Sequence, residues 1–184
     1  MYNLLKSLFD VFQPPFFESI TWKNWIAIID EKTCPICREH HGKIYPINEV
    51  IQLSPPVHPH CRCEVSPMKS VIAGNATKDG LQGADYYVKM FDELPENYIT
   101  IEEAKALGWK NILGNLDTVA PGKQITKGQF VNREGKLPYK NGRTWIEADI
   151  NYVRGYRNSM RIIFSNDGLI FVTYDHYQTF YEIV

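Results

Sequence analysis

From Ala84 to the C-terminus the hydrophobic period changes once, from helical to extended, and this change limits the fold more than any other feature. Tyr86, Tyr87, Met90, Phe91 and Leu94 recur at helical spacing until Pro95 stops the run. Thr100 followed three residues later by Glu103 is a capping box, which predicts a second helix ended by Gly108. A short third turn is expected over Asn115–Val119, closed by Pro121-Gly122. Strand-like runs follow at Gln129–Asn132, Thr144–Ile150, Arg161–Ser165, Leu169–Tyr174 and Thr179–Ile183, with Asn166-Asp167-Gly168 as a hairpin turn. Helices first and strands afterwards predict an α+β domain, with N-terminal helices packed on an antiparallel sheet of about five strands.

The four cysteines all lie between Cys34 and Cys63, so the regular C-terminal part cannot be held by disulfides and must rely on its own core. The chain divides into residues 1–68 with the cysteines, a small, polar, glycine-bearing linker over 69–83, and a domain over 84–184. Met1–Phe12 is amphipathic and is expected to form a short helix. Asp10 interrupts its apolar run and Pro14-Pro15 ends it, so it lacks the pattern of a secretory signal. No stretch approaches the roughly 20 apolar residues of a membrane span. Localisation stays open, with secretion or delivery into a target cell as options.

Charge is unevenly placed. The net charge is −1, but Pro121–Arg161 carries nine Lys/Arg against three Asp/Glu, between acidic flanks. Such a stretch suits a polyanion or a solvated loop-rich surface. Within and just beyond it lie Glu147, Arg157, Arg161 and His176, the last being the only histidine after residue 60. A carboxylate, two guanidiniums and an imidazole suffice to cleave RNA without a metal. The carboxylate takes the 2′-OH proton, the imidazole protonates the leaving 5′-oxygen, and the arginines offset charge on the phosphate. Many domains of this size hold such groups, so composition alone does not select this reading.

Residues 84–184 resemble the barnase-like family of microbial, guanyl-preferring ribonucleases. The resemblance rests on Leu-Pro-Glu-Asn-Tyr-Ile-Thr (94–100), Glu-Ala-Lys-Ala-Leu-Gly-Trp (103–109), Val-Ala-Pro-Gly-Lys (119–123), Asn-Arg-Glu-Gly-Lys-Leu-Pro (132–138), Gly-Arg-Thr-Trp-Ile-Glu-Ala-Asp-Ile-Asn-Tyr (142–152) and Asp-His-Tyr-Gln-Thr-Phe (175–180). It implies the microbial ribonuclease fold, with Glu147 as general base, His176 as general acid, Arg157 and Arg161 as phosphate clamps, and Tyr177 beside the acid. Phe130, Val131, Asn132, Arg133 and Glu134 fall on the guanine-recognition loop, whose backbone reads O6 while Glu134 accepts from the base's N1 and N2 edge. It also implies a 2′,3′-cyclic phosphate that water then opens.

The chain departs from that pattern in several places. Ile101 stands where the family has a phosphate-contacting lysine, with Lys127 as a neighbouring candidate to make up the charge. Gly168 replaces a tryptophan expected near the catalytic histidine, and Val131 replaces the loop serine. Asp92 puts a negative charge at a helix C-terminus, where it is unfavourable.

Near the N-terminus, Cys34-Pro-Ile-Cys37 is a C-x₂-C knuckle, and His58-Pro-His60-Cys61-Arg-Cys63 supplies further soft ligands. Two close pairs separated by a loop suit a four-coordinate structural zinc from Cys34, Cys37, His58 and Cys61, with Cys63 or His60 as a substitute. A disulfide pair or uncommitted thiols are the alternatives, and His40 and His41 read as surface residues. The run also resembles the C-terminal end of phage Mu F-like minor head proteins over residues 25–68. Together the two resemblances suggest a polymorphic toxin, RNA as substrate, no cofactor for catalysis and a barstar-like inhibitor as partner. Two other readings are a minor head component whose nuclease-like tail is weakened by Ile101, and a general nucleic-acid-binding module.

Overall fold

A computed structural model describes residues 12–184. Apart from Phe12, the helix expected over Met1–Phe12 lies outside the described residues. Among these residues nine strands form one sheet.

The N-terminal part contributes β1 (Phe17–Ile26), α1 (Pro35–His40), β2 (Ile44–Pro46) and β3 (Glu64–Val71). The knuckle starts α1, because the Cys34 sulfur accepts from Cys37 N and Pro35 occupies the first turn, where a missing N–H is harmless. Trp25, fully buried, packs with Ala27 and Cys37 under this turn.

The C-terminal part carries the expected helices and strands, with one further strand between the first two helices. It comprises α2 (Ala84–Phe91), β4 (Tyr98–Thr100), α3 (Ile101–Ala106), α4 (Leu116–Val119), β5 (Gln124–Phe130), β6 (Trp145–Asp149), β7 (Arg161–Ser165), β8 (Ile170–Thr173) and β9 (Tyr181–Ile183). The capping box forms as predicted: Glu103 N donates to Thr100 Oγ1 at 3.1 Å, and Thr100 N to Glu103 Oε2 at 2.7 Å. The order across the sheet is β2-β1-β3-β9-β8-β7-β6-β5-β4; β4 departs from the expectation of helices before strands, and β5 begins five residues earlier than expected. β4 runs parallel to β5 and β3 parallel to β9, while the other pairs are antiparallel.

The expected five-stranded sheet is therefore enlarged by strands from both ends. The reason lies in residues 69–83, which do not behave as a loose linker. Ser70 and Val71, both fully buried, pair with Glu182 and Ile183 of β9. Beyond the strand, the buried Asp85 carboxylate accepts from Gly74 N, Ala76 N and Thr77 Oγ1 at 2.7–2.8 Å, fastening this segment to α2. Glu182 in turn accepts from Ser19 Oγ at 2.6 Å and Ser70 Oγ at 2.9 Å, so serines from β1 and β3 satisfy a carboxylate of the last strand.

The central strands are covered on both faces, and β7 and β8 are buried along their whole length. Val88 of α2 packs with Ala148, Ile150, Ile162, Phe164 and Val172 on one face. On the other, Ile163, Phe171 and Trp145 meet Trp22, Ile44 and Met68 from the N-terminal part. The uncovered remainder of that second face carries the polar residues described next.

Candidate functional site

Successive side chains of a strand alternate between faces, so Trp145, Glu147 and Asp149 of β6 share one face, and Arg161 and Ile163 of β7 lie beside them. Glu147 is 4% exposed and Asp149 fully buried. Two carboxylates at such depth need positive partners. Arg157, from the loop before β7, donates through Nε and Nη2 to both Asp149 oxygens. Burial of Arg157 opposes its charge, and the Asp149 carboxylate more than offsets this. Arg161 lies with Nε 3.0 Å from Asp149 and 3.9 Å from Glu147, while its Nη1 donates to the carbonyls of Asn158 and Met160. Asp149 thus anchors both arginines. Nothing in the sequence marks Asp149 for this part, because an acid among alternating strand residues carries no spacing signal of its own.

The loop from Tyr174 to Phe180 brings Tyr177 over this cluster. Asp175 Oδ1 gathers Thr173 Oγ1, Gln178 N and Thr179 N at 2.9–3.1 Å, and Thr173 Oγ1 accepts from Tyr177 N at 2.9 Å. His176 and Tyr177 both adopt positive φ, 59° and 69°, an uncommon conformation for residues with a Cβ. His176 is exposed, its ring 4.7 Å from that of Tyr177. The Tyr177 phenol is pushed well above its ordinary pKa, chiefly by burial and next by the facing Glu147 carboxylate.

Three buried polar atoms have no hydrogen-bond partner here: Glu147 Oε1, Arg161 Nε and Tyr177 Oη. The nearby Lys127 and Asp149 atoms supply charge at short range without the alignment of a hydrogen bond. Orphaned groups from β6, β7 and the β8–β9 loop therefore converge on one spot, and such atoms cost free energy unless a ligand completes them.

Tyr177 also joins this spot to the loop 130–134, since Phe130 at the end of β5 stacks on it with ring centroids 5.5 Å apart. Phe130, Val131, Asn132, Arg133 and Glu134 line a cavity of 180 Å³ with Lys136, Tyr177 and Phe180. Asn132 holds the loop by bonding both ways with the Leu137 backbone. Lys136 Nζ reaches Tyr177 O at 3.0 Å and Glu134 Oε2 at 2.9 Å. Gly168, by contrast, sits in the β7–β8 turn beside Asp92, at the opposite end of β8 from His176. The expected neighbourhood of that position with the histidine is corrected accordingly. Asp92 itself caps α2 in the left-handed conformation (φ 58°).

The N-terminal knuckle gathers soft donors. Cys34, Cys37 and His58 form one close group, and Cys37, Cys61 and Cys63 a second. Cys37 Sγ is 3.7 Å from His58 Nε2 and 3.8 Å from Cys61 Sγ. A tetrahedral zinc with Zn–S near 2.3 Å has ligand–ligand edges of about 3.8 Å, so the spacing fits. Burial pushes the Cys37 thiol up, whereas backbone hydrogen bonding from Val57 and then Cys63 brings Cys61 down to about 7. Cys63 belongs to the second group on equal terms with Cys61, and His60 to neither group. The bidentate Arg62–Asp30 pair, at 2.7 Å, clamps the two knuckle loops together.

Comparisons with known proteins match two stretches of the chain. Residues 82–184 match the family model described as ribonuclease, and residues 18–66 match that described as Phage Mu protein F like protein. The chain belongs to the ribonuclease family, and its catalytic class is that of an endoribonuclease. It is 55% identical over 107 residues to a ribonuclease of Heyndrickxia coagulans, a match covering 58% of this chain and 95% of the relative. Ribonucleases of Bacillus intermedius and Bacillus pumilus are also 55% identical over 107 residues; the match spans 64% of their length and 58% of this chain.

Proposed function

We propose that the cluster around Glu147 cleaves single-stranded RNA after guanosine without a metal. Glu147 Oε1 accepts the 2′-OH proton as that oxygen attacks phosphorus, and His176, whose ring lies 4.7 Å from that of Tyr177, gives a proton to the leaving 5′-oxygen. The bond to the 5′-oxygen breaks and a 2′,3′-cyclic phosphate forms. Water then opens the ring, with His176 taking its proton and Glu147 returning one to the 2′-oxygen. Arg161 and Arg157 offset charge on the phosphate oxygens, an effect that is large in a dry site. The guanine base enters the cavity lined by Phe130 and Tyr177, read by the 131–134 backbone and by Glu134.

The observation that carries this reading is the meeting of three unpartnered buried atoms, Glu147 Oε1, Arg161 Nε and Tyr177 Oη, which one phosphodiester with its 2′-OH would complete. The test is cleavage of guanosine-containing RNA in excess chelator by the full chain, beside Glu147→Ala and His176→Ala. Expected are a cyclic phosphate product, no cleavage of DNA, and a fall of about 10²–10⁴-fold for each variant. Activity in either variant equal to wild type would sink the assignment.

The Cys/His knuckle is proposed to hold one structural zinc, with Cys37 central. The metal would supply thiolate–cation bonds that close the loops and nothing to the chemistry. The pairing of a head-protein-like segment with a ribonuclease suggests a delivered toxin, restrained in its producer by an acidic barstar-like inhibitor over the cationic cleft. Expression without that inhibitor should arrest growth, and Glu147→Ala should relieve the arrest. Harmless expression of active protein would refute the toxin reading. The match of residues 18–66 also favours a second reading, a minor head component with a weakened tail. Incorporation into phage particles by an inactive chain would support it.

A further inference from the structure

The cations at this centre are unequally committed. Glu147 and Asp149 carry two negative charges, and Arg157 and Arg161 carry two positive ones. Both arginines lean on Asp149, and their side chains are only 13% and 4% exposed. The four groups therefore sum to zero net charge and leave no surplus to match the negative charge that a bound phosphate brings.

Among the described residues that converge here, Lys127 supplies the surplus. Its Nζ lies 2.7 Å from Glu147 Oε1, and its side chain is 32% exposed against 5% for the glutamate. The backbone puts it there through a bulge. Thr126 pairs with Ala148 but Gly128 with Glu147, so Lys127 and Gly128 together oppose one residue of β6. Gly128 takes φ +72° to allow the irregularity, with open space where a Cβ would stand. Thr126 Oγ1 secures the bulge by donating to Glu147 O at 3.0 Å. Directly opposed residues share a face, so the lysine stem rises beside the carboxylate toward solvent. The ammonium meets Glu147 Oε1 without hydrogen-bond alignment, which leaves it free to turn on its four-carbon stem.

We propose that Lys127 is a catalytic residue that leaves Glu147 when RNA enters and binds a non-bridging oxygen of the scissile phosphate. It thereby gives the centre its net positive charge and frees Glu147 Oε1 to accept the 2′-OH proton. This rests on the Glu147-centred reading above.

The test compares wild type with Lys127→Met, which keeps the stem and removes the charge. Lys123→Met, just before the same strand, serves as control; Lys123 Nζ bonds to Glu96 O, away from the site. Each protein is assayed on a guanosine-containing RNA oligonucleotide. Binding of its 2′-deoxyguanosine analogue, which cannot be cleaved, is measured across salt concentrations, and thermal melts report folding. Lys127→Met should lower kcat/KM about 100-fold, as loss of a transition-state charge contact does. Its log–log salt slope for the analogue should shrink by about 0.7, the signature of one lost phosphate contact on a single strand. Lys123→Met should match wild type in both. Wild-type activity in Lys127→Met would overturn the proposal, as would reduced activity with an unchanged salt slope, since the lysine would then act on Glu147 alone. If the wild type itself failed to cleave, the Glu147-centred reading would fall, while the salt slope would still decide whether Lys127 touches phosphate.

Discussion

Substituting asparagine for Asp149 separates the anchoring of the arginines from their contact with RNA. The carboxylate is fully buried and carries the two Arg157 bonds together with the Arg161 guanidinium at 3.0 Å. Removing one partner of a buried ion cluster costs about 3–5 kcal/mol. Asparagine keeps the shape and one acceptor, so the lower end, about 3 kcal/mol, applies. For a chain of this size that corresponds to a fall in Tm of about 6–12 °C. Urea titration at neutral pH, analysed by linear extrapolation, measures the loss directly. The kinetic signature is more particular. Without Asp149 the centre gains one net positive charge, so RNA binds more tightly and KM falls. The arginines lose their fixed aim, so kcat falls as well. A stability loss under about 1 kcal/mol, or a KM that rises, would refute the view that Asp149 holds the clamp at the expense of ground-state affinity.

Three further outcomes are expected. Metal analysis should find one zinc per chain; chelation should lower the Tm and make the buried Cys37 reactive to thiol reagents, and unchanged values on both counts would remove zinc from the account. Trp22→Ala should cost about 3–5 kcal/mol, because Trp22 is 8% exposed and meets Phe171 edge-on at 6.3 Å across the shared core. Its urea melt should remain a single shifted transition, and a ribonuclease transition left in place would disprove the joint core. Asp167→Asn should destabilise at neutral pH, because Arg143, then Ser165 and Lys140, hold the Asp167 carboxyl below the ordinary range. With the folded pKa depressed, that stabilisation is present above the unfolded value near 3.9 and is lost as pH falls through the folded one. The gap in Tm between wild type and variant should therefore narrow below about pH 4, and a gap that widens there would contradict the assignment.

Local signals made much of the C-terminal part legible. The Thr100–Glu103 box and the Asn166-Asp167-Gly168 turn need only neighbours in sequence, and both appear where expected. Non-local features stayed hidden. The stretch 69–83 looked like a linker because its residues are small and polar. In the structure that smallness permits close packing: Ala76 is fully buried, and a Cβ on Gly83 would lie 1.8 Å from Thr77 Oγ1. The pairing of β3 with β9 joins positions 112 residues apart, as the Ser70–Glu182 contact shows, and no periodicity announces it. At the site, residue types matched by resemblance were enough to nominate Glu147, Arg157, Arg161 and His176. The anchoring by Asp149 and the approach of Lys127 depended on register and a bulge, which only the folded chain displays.

The parallel seam between β3 and β9 bears on how such a chain could be processed. A protease nicking at the exposed Leu81 would sever the covalent path but leave the halves zipped by backbone bonds, from Ala73 N to Val184 O and from Val184 N to Val71 O. Liberating the nuclease would require peeling β3 from the sheet and wetting Trp22, Ile44 and Met68. The Mu F-like segment and the enzyme should therefore travel, act and denature as one body.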